Sequence, residues 1–278
     1  MDTDMQDRTG ELLARLEAGT LALQDSQRWT EYLAMSARFH RYSMGNVLLI
    51  TLQCPEATQV AGFKTWLTVD RHVRKGEKGL RILAPMMYKR TGLNDAGEEV
   101  TKTGLRGFRS VAVFDVSQTD GADLPSVVSL LDGQDESGAF DMLARAVKSW
   151  GWTVADADST ALGAANGMTC HQTREILIHA DRPPVQRVKT LAHEIGHAIL
   201  HGDDCAHRDQ RGLVELEAES VAYVICARLG IVSDDYSFGY VAGWTGENAQ
   251  TLIRTSAERV RDAVAQVFAD DQMAQVAA

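Results

Sequence analysis

A chain of 278 residues, 45% of them hydrophobic, is long enough to bury two separate cores, so we expect two domains. No apolar run approaches the roughly 20 residues that a membrane-spanning helix needs, and the acidic start of the chain excludes a secretory signal. We therefore expect a cytoplasmic protein with no membrane partner. The four cysteines include no C-x-x-C pair, so the sequence suggests neither a disulfide framework nor a cysteine zinc site.

The formal charge of −10 is distributed unevenly along the chain. Residues 28–120 carry 14 Lys and Arg against 9 Asp and Glu, whereas residues 121–278 carry 12 against 23. This asymmetry indicates two parts with different partners, and the sign changes within a stretch rich in Gly, Ser and Asp. We predict a first domain at 1–120, a linker at 121–137 and a second domain at 138–278.

The first domain has the pattern of an α+β fold. Apolar residues between Leu12 and Leu23, and again between Trp29 and Phe39, recur near helical spacing, and NVLLITLQ predicts a short buried helix. The stretches LRILAPMMYKR and FRSVAVFDVSQ alternate between apolar and polar residues on either side of a polar stretch that contains glycine. This arrangement predicts a hairpin with a long loop.

The second domain is predicted to be mainly helical with a small sheet. FDMLARAVKSWGW has helical spacing, and GMTCHQTREILIH has the pattern of a hairpin. Three further helices are expected at about 185–201, 212–230 and 247–269. The whole chain is therefore expected to be an α+β protein of two domains.

A basic stretch lies in the first domain. Residues 61–90 contain eight basic and two acidic residues, with aromatic residues between them. Cations follow phosphates and exposed aromatic rings stack on bases, so this stretch is a candidate surface for single-stranded DNA; the alternative is a solvated basic loop with aromatic residues in the core. The DNA-binding candidates are Lys64, Trp66, Arg71, Arg74, Lys75, Lys78 and Arg81.

The segment TLAHEIGHAILH places titratable residues inside an apolar helix. Residues four apart lie about 40° apart around a helix, so His193 and His197 can direct their imidazoles at one divalent metal. Glu194 would lie beside that metal, where a general base can take a proton from bound water. His201 is expected to end the helix at its negative pole rather than to bind metal. The small residues Ala192, Gly196 and Ala198 let another element approach the backbone closely.

Two histidines do not complete a zinc site, so a third ligand must come from elsewhere. The next helix offers Glu215 and Glu219 at i and i+4 on one face, while Glu217 points away. We assign Glu215 to the zinc and Glu219 to the free nitrogen of His193. The reverse assignment of the two glutamates also satisfies the spacing.

The motif HEIGHAILH followed by ELEAESVAYVICARLGI resembles the ImmA/IrrE group of zincin-like metallopeptidases, over roughly residues 138–245. This resemblance implies a zinc cofactor, peptide hydrolysis and a protein substrate that is a regulator or repressor. It also implies that the first acid of the second helix is the ligand and that the last one supports a histidine, in agreement with Glu215 and Glu219.

The first domain is similar to the amino-terminal domain of the ArdC antirestriction proteins of mobile elements, on the segment FHRYSMGNVLLITLQCPEATQVAGFKTWLTVDRHVRKGEKGLRILAPM and the later VAVFDVSQTDG. The similarity covers roughly residues 10–120. It implies binding of single-stranded DNA by a domain that precedes a zinc metallopeptidase-like domain, the same order as in this chain.

These observations predict a zinc metallo-endopeptidase with an amino-terminal domain for single-stranded DNA, in a phage, mobile-element or stress-response setting. One alternative is a DNA-binding antirestriction protein in which the zinc is only structural. Another is an interaction protein whose acidic second half binds a basic partner. Glu194 favours the enzyme, because a structural site needs ligands but no base.

Overall fold

The computed structural model describes residues 2–93, 99–124, 136–202, 211–231, 238 and 248–269. The chain divides into two compact units. The first unit combines Met1–Gly19 with Gly45–Leu124, and the second combines Thr20–Met44 with Pro125–Ala278. Both units contain helices and strands, so the predicted α+β class and two-part organisation are confirmed.

One segment differs from the predicted boundaries of 1–120 and 138–278. Thr20–Met44, which includes helix α2 (Ser26–Arg38), belongs to the second unit. The reason is burial, because Trp29 and Leu33 are fully buried and the indole N–H of Trp29 donates to the Ser220 hydroxyl at 3.0 Å. Helical periodicity identifies the apolar face of α2 but not the core against which that face packs.

Two helices and one strand of the first unit form a small leucine core. Helix α1 (Asp2–Ala22) provides Leu12 and Leu16, and helix α3 (Met44–Gln53), the predicted short buried helix, provides Leu49. These leucines pack with Leu83. Helix α4 (Phe63–Thr68) is a single short element that the sequence pattern did not predict.

The predicted long hairpin is confirmed as strands β3 (Leu80–Leu93) and β4 (Glu99–Asp115), which pair antiparallel. Its register shifts between Met86 and Met87. The short strand β1 (Val60–Ala61) pairs antiparallel with the end of β4. A separate ribbon of β2 (Arg71–Val73) and β5 (Thr119–Gly121) was not predicted.

A three-stranded sheet in the order β6-β8-β7 lies in the second unit. Strands β7 (Gly167–Cys170) and β8 (Glu175–His179) form the predicted antiparallel hairpin. Strand β6 (Thr153–Ala157) pairs parallel to β8 and was not predicted. The short helix α6 (Ser159–Leu162) follows β6.

The longer helices of this unit form where they were predicted. They are α5 (Glu136–Ser149), α7 (Pro184–Leu200), α8 (Arg211–Arg228) and α9 (Ala249–Val267). Helices α7 and α8 approach closely at Gly196, where an added Cβ would lie 2.8 Å from the Cα of Ala218. Glycine at this position therefore brings the histidine face of α7 against the glutamate face of α8.

None of the described helices is both long enough and apolar enough to cross a membrane.

Candidate metal centre

The structure brings the three predicted zinc ligands together. The Nε2 atoms of His193 and His197, one turn apart on α7, are separated by 3.1 Å. A carboxylate oxygen of Glu215 on α8 lies 3.6 Å from the first and 3.9 Å from the second. Two nitrogens bound to one tetrahedral zinc lie about 3.3 Å apart, so the set fits a single ion. Within the described residues, these three side chains form the cluster suited to a metal.

Glu219 lies behind His193 rather than in the ligand cluster. Its carboxylate accepts a hydrogen bond from Nδ1 of His193 at 3.0 Å, which leaves Nε2 directed at Glu215 and His197. Glu219 thus occupies the supporting position that the sequence pattern assigned to it. The reverse assignment of the two glutamates does not agree with these distances.

The two histidines have pKa values that move in opposite directions. Burial disfavours a charged His193, but hydrogen bonds to Glu215 and Glu219 outweigh burial and raise its pKa to about 10. Burial, together with the charge on His193, lowers the pKa of His197 to about 4. Without metal, His193 therefore carries a second ring proton and a positive charge near neutral pH, whereas His197 is neutral, and a metal ion must displace that second proton.

Glu194 lies beside the ligands in the sequence and is only 7% exposed. The Thr169 hydroxyl lies 2.7 Å from its carboxylate and 3.0 Å from its backbone carbonyl. Burial raises the pKa of Glu194 despite the hydrogen bond from Thr169. A carboxylate that is more basic than usual, and is not a ligand, has the properties of a proton acceptor.

Strand β7 lies against α7 at this carboxylate. An added Cβ on Gly167 would lie 3.0 Å from the Cγ of Glu194 and 2.6 Å from the Cγ2 of Thr190, so only glycine permits the approach. Thr169 on β7 was not among the predicted site residues, although it lies in the hairpin predicted just before the motif. β7 forms one edge of the described sheet, and edge strands can pair with an extended peptide.

His201 is the C-cap of α7, as predicted, but its side chain has partners that the sequence pattern did not reveal. It is only 4% exposed, and its Nδ1 lies 3.1 Å from Nδ1 of His197. Its Nε2 lies 3.1 Å from the buried carboxylate of Glu217. Three histidines at i, i+4 and i+8 share one helix face, and this spacing was the available signal.

Two of the DNA-binding candidates serve the fold of the first unit. Trp66 is only 3% exposed, and its indole N–H donates to the carbonyl of Phe114 at 3.0 Å. The prediction that Trp66 stacks on bases is therefore wrong, because its ring lies in the core. Arg71 is half-buried and donates to the hydroxyl and carbonyl of Thr119, at 2.8 and 3.1 Å. It ties β2 to β5.

The other candidate cations lie on the surface of the first unit. Arg74 is exposed but forms ion pairs with Glu77 at 2.9 Å and Asp120 at 3.5 Å, and donates to the Ser117 carbonyl. Because acidic side chains at ion-pair distance already neutralise part of its charge, Arg74 is expected to bind a phosphate more weakly than an exposed cation without such partners. The remaining exposed candidates are Lys64, Lys75, Lys78 and Arg81.

The β3–β4 hairpin presents exposed apolar side chains that were not predicted as part of a functional surface. Met87 lies opposite Leu105, and Phe108 lies opposite Pro85, so alternation places these side chains on one face. Met87, Leu105 and Phe108 are each exposed by 45% or more. Exposed Lys89 shares this face. This surface combines apolar groups with positive charge, although it lacks Trp66.

Fold and site together define a two-domain α+β protein whose second domain is metallopeptidase-like. Residues 3–114 match the family model of the N-terminal domain of the anti-restriction factor ArdC. Residues 155–226 match the model of the IrrE N-terminal-like domain, a peptidase family. The chain therefore carries a segment similar to the ArdC N-terminal domain followed by a segment similar to the IrrE-like domain, and both resemblances seen in the sequence are confirmed.

Longer alignments, with one curated relative and with two solved structures, cover most of the chain. An uncharacterized protein of Bacillus anthracis is 25% identical over 252 residues, which cover 78% of this chain and 42% of that protein. The chain thus spans less than half the length of that curated relative. The metal-free crystal structure of the antirestriction protein ArdC from plasmid R388 aligns with a TM-score of 0.51 and 22% identity, over 81% of this chain and 84% of that one, and shows the shared fold. The Mn(II)-bound structure of that protein aligns with a TM-score of 0.47 and 21% identity, over 81% and 83%.

Proposed function

We propose that this chain is a zinc-dependent endopeptidase joined to an amino-terminal domain that binds single-stranded DNA. Its setting would be antirestriction in the cytoplasm of a cell that carries a phage or mobile element, and its substrate a regulatory protein. The observation that carries the catalytic part is the environment of Glu194, a buried carboxylate of raised pKa that follows His193 in the sequence and lies outside the cluster of His193, His197 and Glu215.

His193, His197 and Glu215 would hold the ion. When bound, a zinc ion supplies a Lewis acid for the scissile carbonyl and lowers the pKa of a water molecule. Glu194 would accept the proton from that water, and the Thr169 hydroxyl would keep the carboxylate in place. The edge of β7 would pair with the backbone of an extended peptide.

Three protein ligands suit a catalytic ion better than a structural one. Structural zinc sites have four protein ligands, whereas catalytic sites keep one position open. The described residues supply three, and the side chain of Glu215 is 53% exposed, so the site is accessible on one side. A buried base beside an accessible ion supports hydrolysis.

Support for DNA binding comes from the match to the ArdC N-terminal domain and from the exposed cations of the first unit. The hairpin face formed by Met87, Leu105 and Phe108 would contact bases, while lysines nearby would contact phosphates. Trp66 has no part in this surface, and Arg71 only holds the ribbon of β2 and β5 together.

Incubation of the purified full chain with candidate repressors and restriction proteins tests the peptidase. Cleavage should stop after a chelator removes zinc and return when zinc is added. His193→Ala and His197→Ala should lose both bound zinc and cleavage, starting from about one zinc per chain in the wild type. Zinc content that neither substitution changes would contradict the site.

A second candidate keeps the metal but not the hydrolysis. The ligands come from both α7 and α8, so an ion at His193, His197 and Glu215 would brace these helices. The protein would then be a DNA-binding antirestriction factor with a structural metal. Antirestriction that persists in the host without any cleaved protein would favour this candidate.

A further inference from the structure

We propose that His201 and Glu217 position His197 as a metal ligand through a buried chain of hydrogen bonds. This inference rests on the proposed metal site and adds two residues to which the motif H-E-x-x-H assigns no role. This series of hydrogen bonds runs from Nδ1 of His197 to Nδ1 of His201, and from Nε2 of His201 to the carboxylate of Glu217. Both links measure 3.1 Å.

The direction of the hydrogen bonds follows from the acceptor at the end of the chain. A carboxylate accepts, so the proton of the His201 ring lies on Nε2 and is donated to Glu217. Nδ1 of His201 then has a lone pair and accepts the Nδ1 proton of His197. His197 is left with a lone pair on Nε2, the nitrogen that lies among the ligands. These hydrogen bonds thus select the tautomer of His197 that can bind metal through Nε2.

Glu217 is held from its other side by helix α9. The Ser256 hydroxyl donates to one carboxylate oxygen at 2.7 Å, and the Arg259 guanidinium lies 3.3 Å from the other. Arg259 also donates to the Leu200 carbonyl at the end of α7. Because Glu217 and His201 are almost fully buried, neither can replace these partners with water. The ring of His201 therefore has a single well-defined orientation.

The two histidine ligands are supported differently. His193 donates directly to the partly exposed carboxylate of Glu219, whereas His197 reaches a carboxylate only through a second imidazole. The longer route connects the metal site to α9, an element that contributes no ligand of its own. This connection explains why the second helix carries a buried Glu217 between the two functional glutamates.

The test measures zinc affinity of the full chain by competition with a chelating dye, and the visible absorption of the Co²⁺ form. His201→Phe fills the space but removes the acceptor, so zinc affinity should fall about 10- to 100-fold and the Co²⁺ spectrum should change. In His201→Asn the side-chain oxygen takes the place of Nδ1, and affinity should recover at least about fivefold relative to His201→Phe. Glu217→Gln should weaken zinc binding about tenfold.

His179→Phe is the matched control. His179 is an equally buried histidine of the same unit, and it hydrogen-bonds to Ser159 rather than to His197, His201 or Glu217. The zinc affinity of His179→Phe should stay within about threefold of the wild type, a smaller change than the loss expected when a hydrogen-bond partner of a metal ligand is removed. Equal affinities of His201→Phe and His201→Asn, or equal losses in His201→Phe and His179→Phe, would overturn the proposal. Wild-type affinity in Glu217→Gln would overturn the part assigned to Glu217. Failure of the wild type to bind zinc would overturn the proposed function as well.

Discussion

The candidate functional residues of the two units differ in burial and in hydrogen bonding. In the second unit Glu194, His201 and Glu217 are buried, and each has a specific hydrogen-bond partner. In the first unit Lys64, Lys75, Lys78 and Arg81 lie at the surface. A buried polar group must be matched by a partner at a defined distance, whereas an exposed cation interacts mainly through charge density. The second unit therefore has a site of defined geometry and the first has a surface.

This difference predicts which changes affect which activity. Alterations of geometry or protonation on α7 and α8 should change the metal site and leave DNA binding intact. Alterations of surface charge in the first unit should do the reverse. Zinc affinity and DNA affinity should be measured for every variant, because a change that affects both equally would remove the distinction between the two units.

The largest of these effects is the expected change of zinc affinity with pH. A ligand must be deprotonated, and the raised pKa of His193, about 10, keeps a proton on the metal-free site at neutral pH. Zinc binding should therefore release about one proton, and affinity should rise about tenfold for each pH unit between about 6.5 and 8. Calorimetric titration in buffers of different ionisation enthalpy measures the released proton. DNA affinity should stay nearly constant in this range, and zinc affinity that is equally flat would contradict the account.

A moderate effect is expected from Gly196→Ala. The new Cβ would lie 2.8 Å from the Cα of Ala218 and force α7 and α8 apart. Overpacking of this kind lowers the free energy of unfolding by about 1–3 kcal/mol. The better helix propensity of alanine offsets at most about 1 kcal/mol of that loss. Urea unfolding should show the lower stability, together with weaker zinc binding. The control is Gly202→Ala, whose Cβ has nothing within 4 Å; equal stability of the two variants would show that the helices do not require this close approach.

The smallest effect concerns the first unit. Charge reversal at Lys75 and Lys78, both exposed, should reduce the salt dependence of binding to a single-stranded oligonucleotide. The slope of log affinity against log salt should fall by about 0.7 for each phosphate that the variant no longer neutralises. Arg145→Glu combined with Lys148→Glu, two exposed changes on α5, alters the total charge by the same amount and provides the control. Fluorescence anisotropy measures the slopes, and identical slopes in all three proteins would remove these lysines from the DNA surface.

The sequence predicted the site better than the surface, for a physical reason. His193, His197, Glu215 and Glu219 occur as i and i+4 pairs, so local helix geometry alone places each pair on one face. The contacts of His201 with Glu217, and of Glu217 with Ser256 on α9, depend on how helices pack and could not be derived from spacing.

The same limit explains why the burial of Trp66, the packing of Thr20–Met44 and strand β6 were not predicted. Trp66 lies on a six-residue helix, too short for its buried face to appear as a periodic pattern. The role of Thr20–Met44 depends on the pairing of Trp29 with Ser220, which are far apart in the sequence. Strand β6, with the sequence TVADA, has no strict alternation of apolar and polar residues. It pairs in parallel with β8, which lies about 20 residues later, so local sequence does not predict it.

The central claim is that Glu194 performs chemistry at a metal that other residues hold. Glu194→Gln keeps the size of the side chain and removes the base. Zinc binding and DNA binding should persist, while hydrolysis of the protein substrate should fall by at least about a hundredfold. His197→Ala should instead lose zinc and hydrolysis together. Protection from restriction in the host, measured for both variants with their zinc content, is the most direct test: the account predicts loss in both, with zinc retained only in Glu194→Gln. Full protection by Glu194→Gln alongside loss in His197→Ala would contradict it and leave a structural metal.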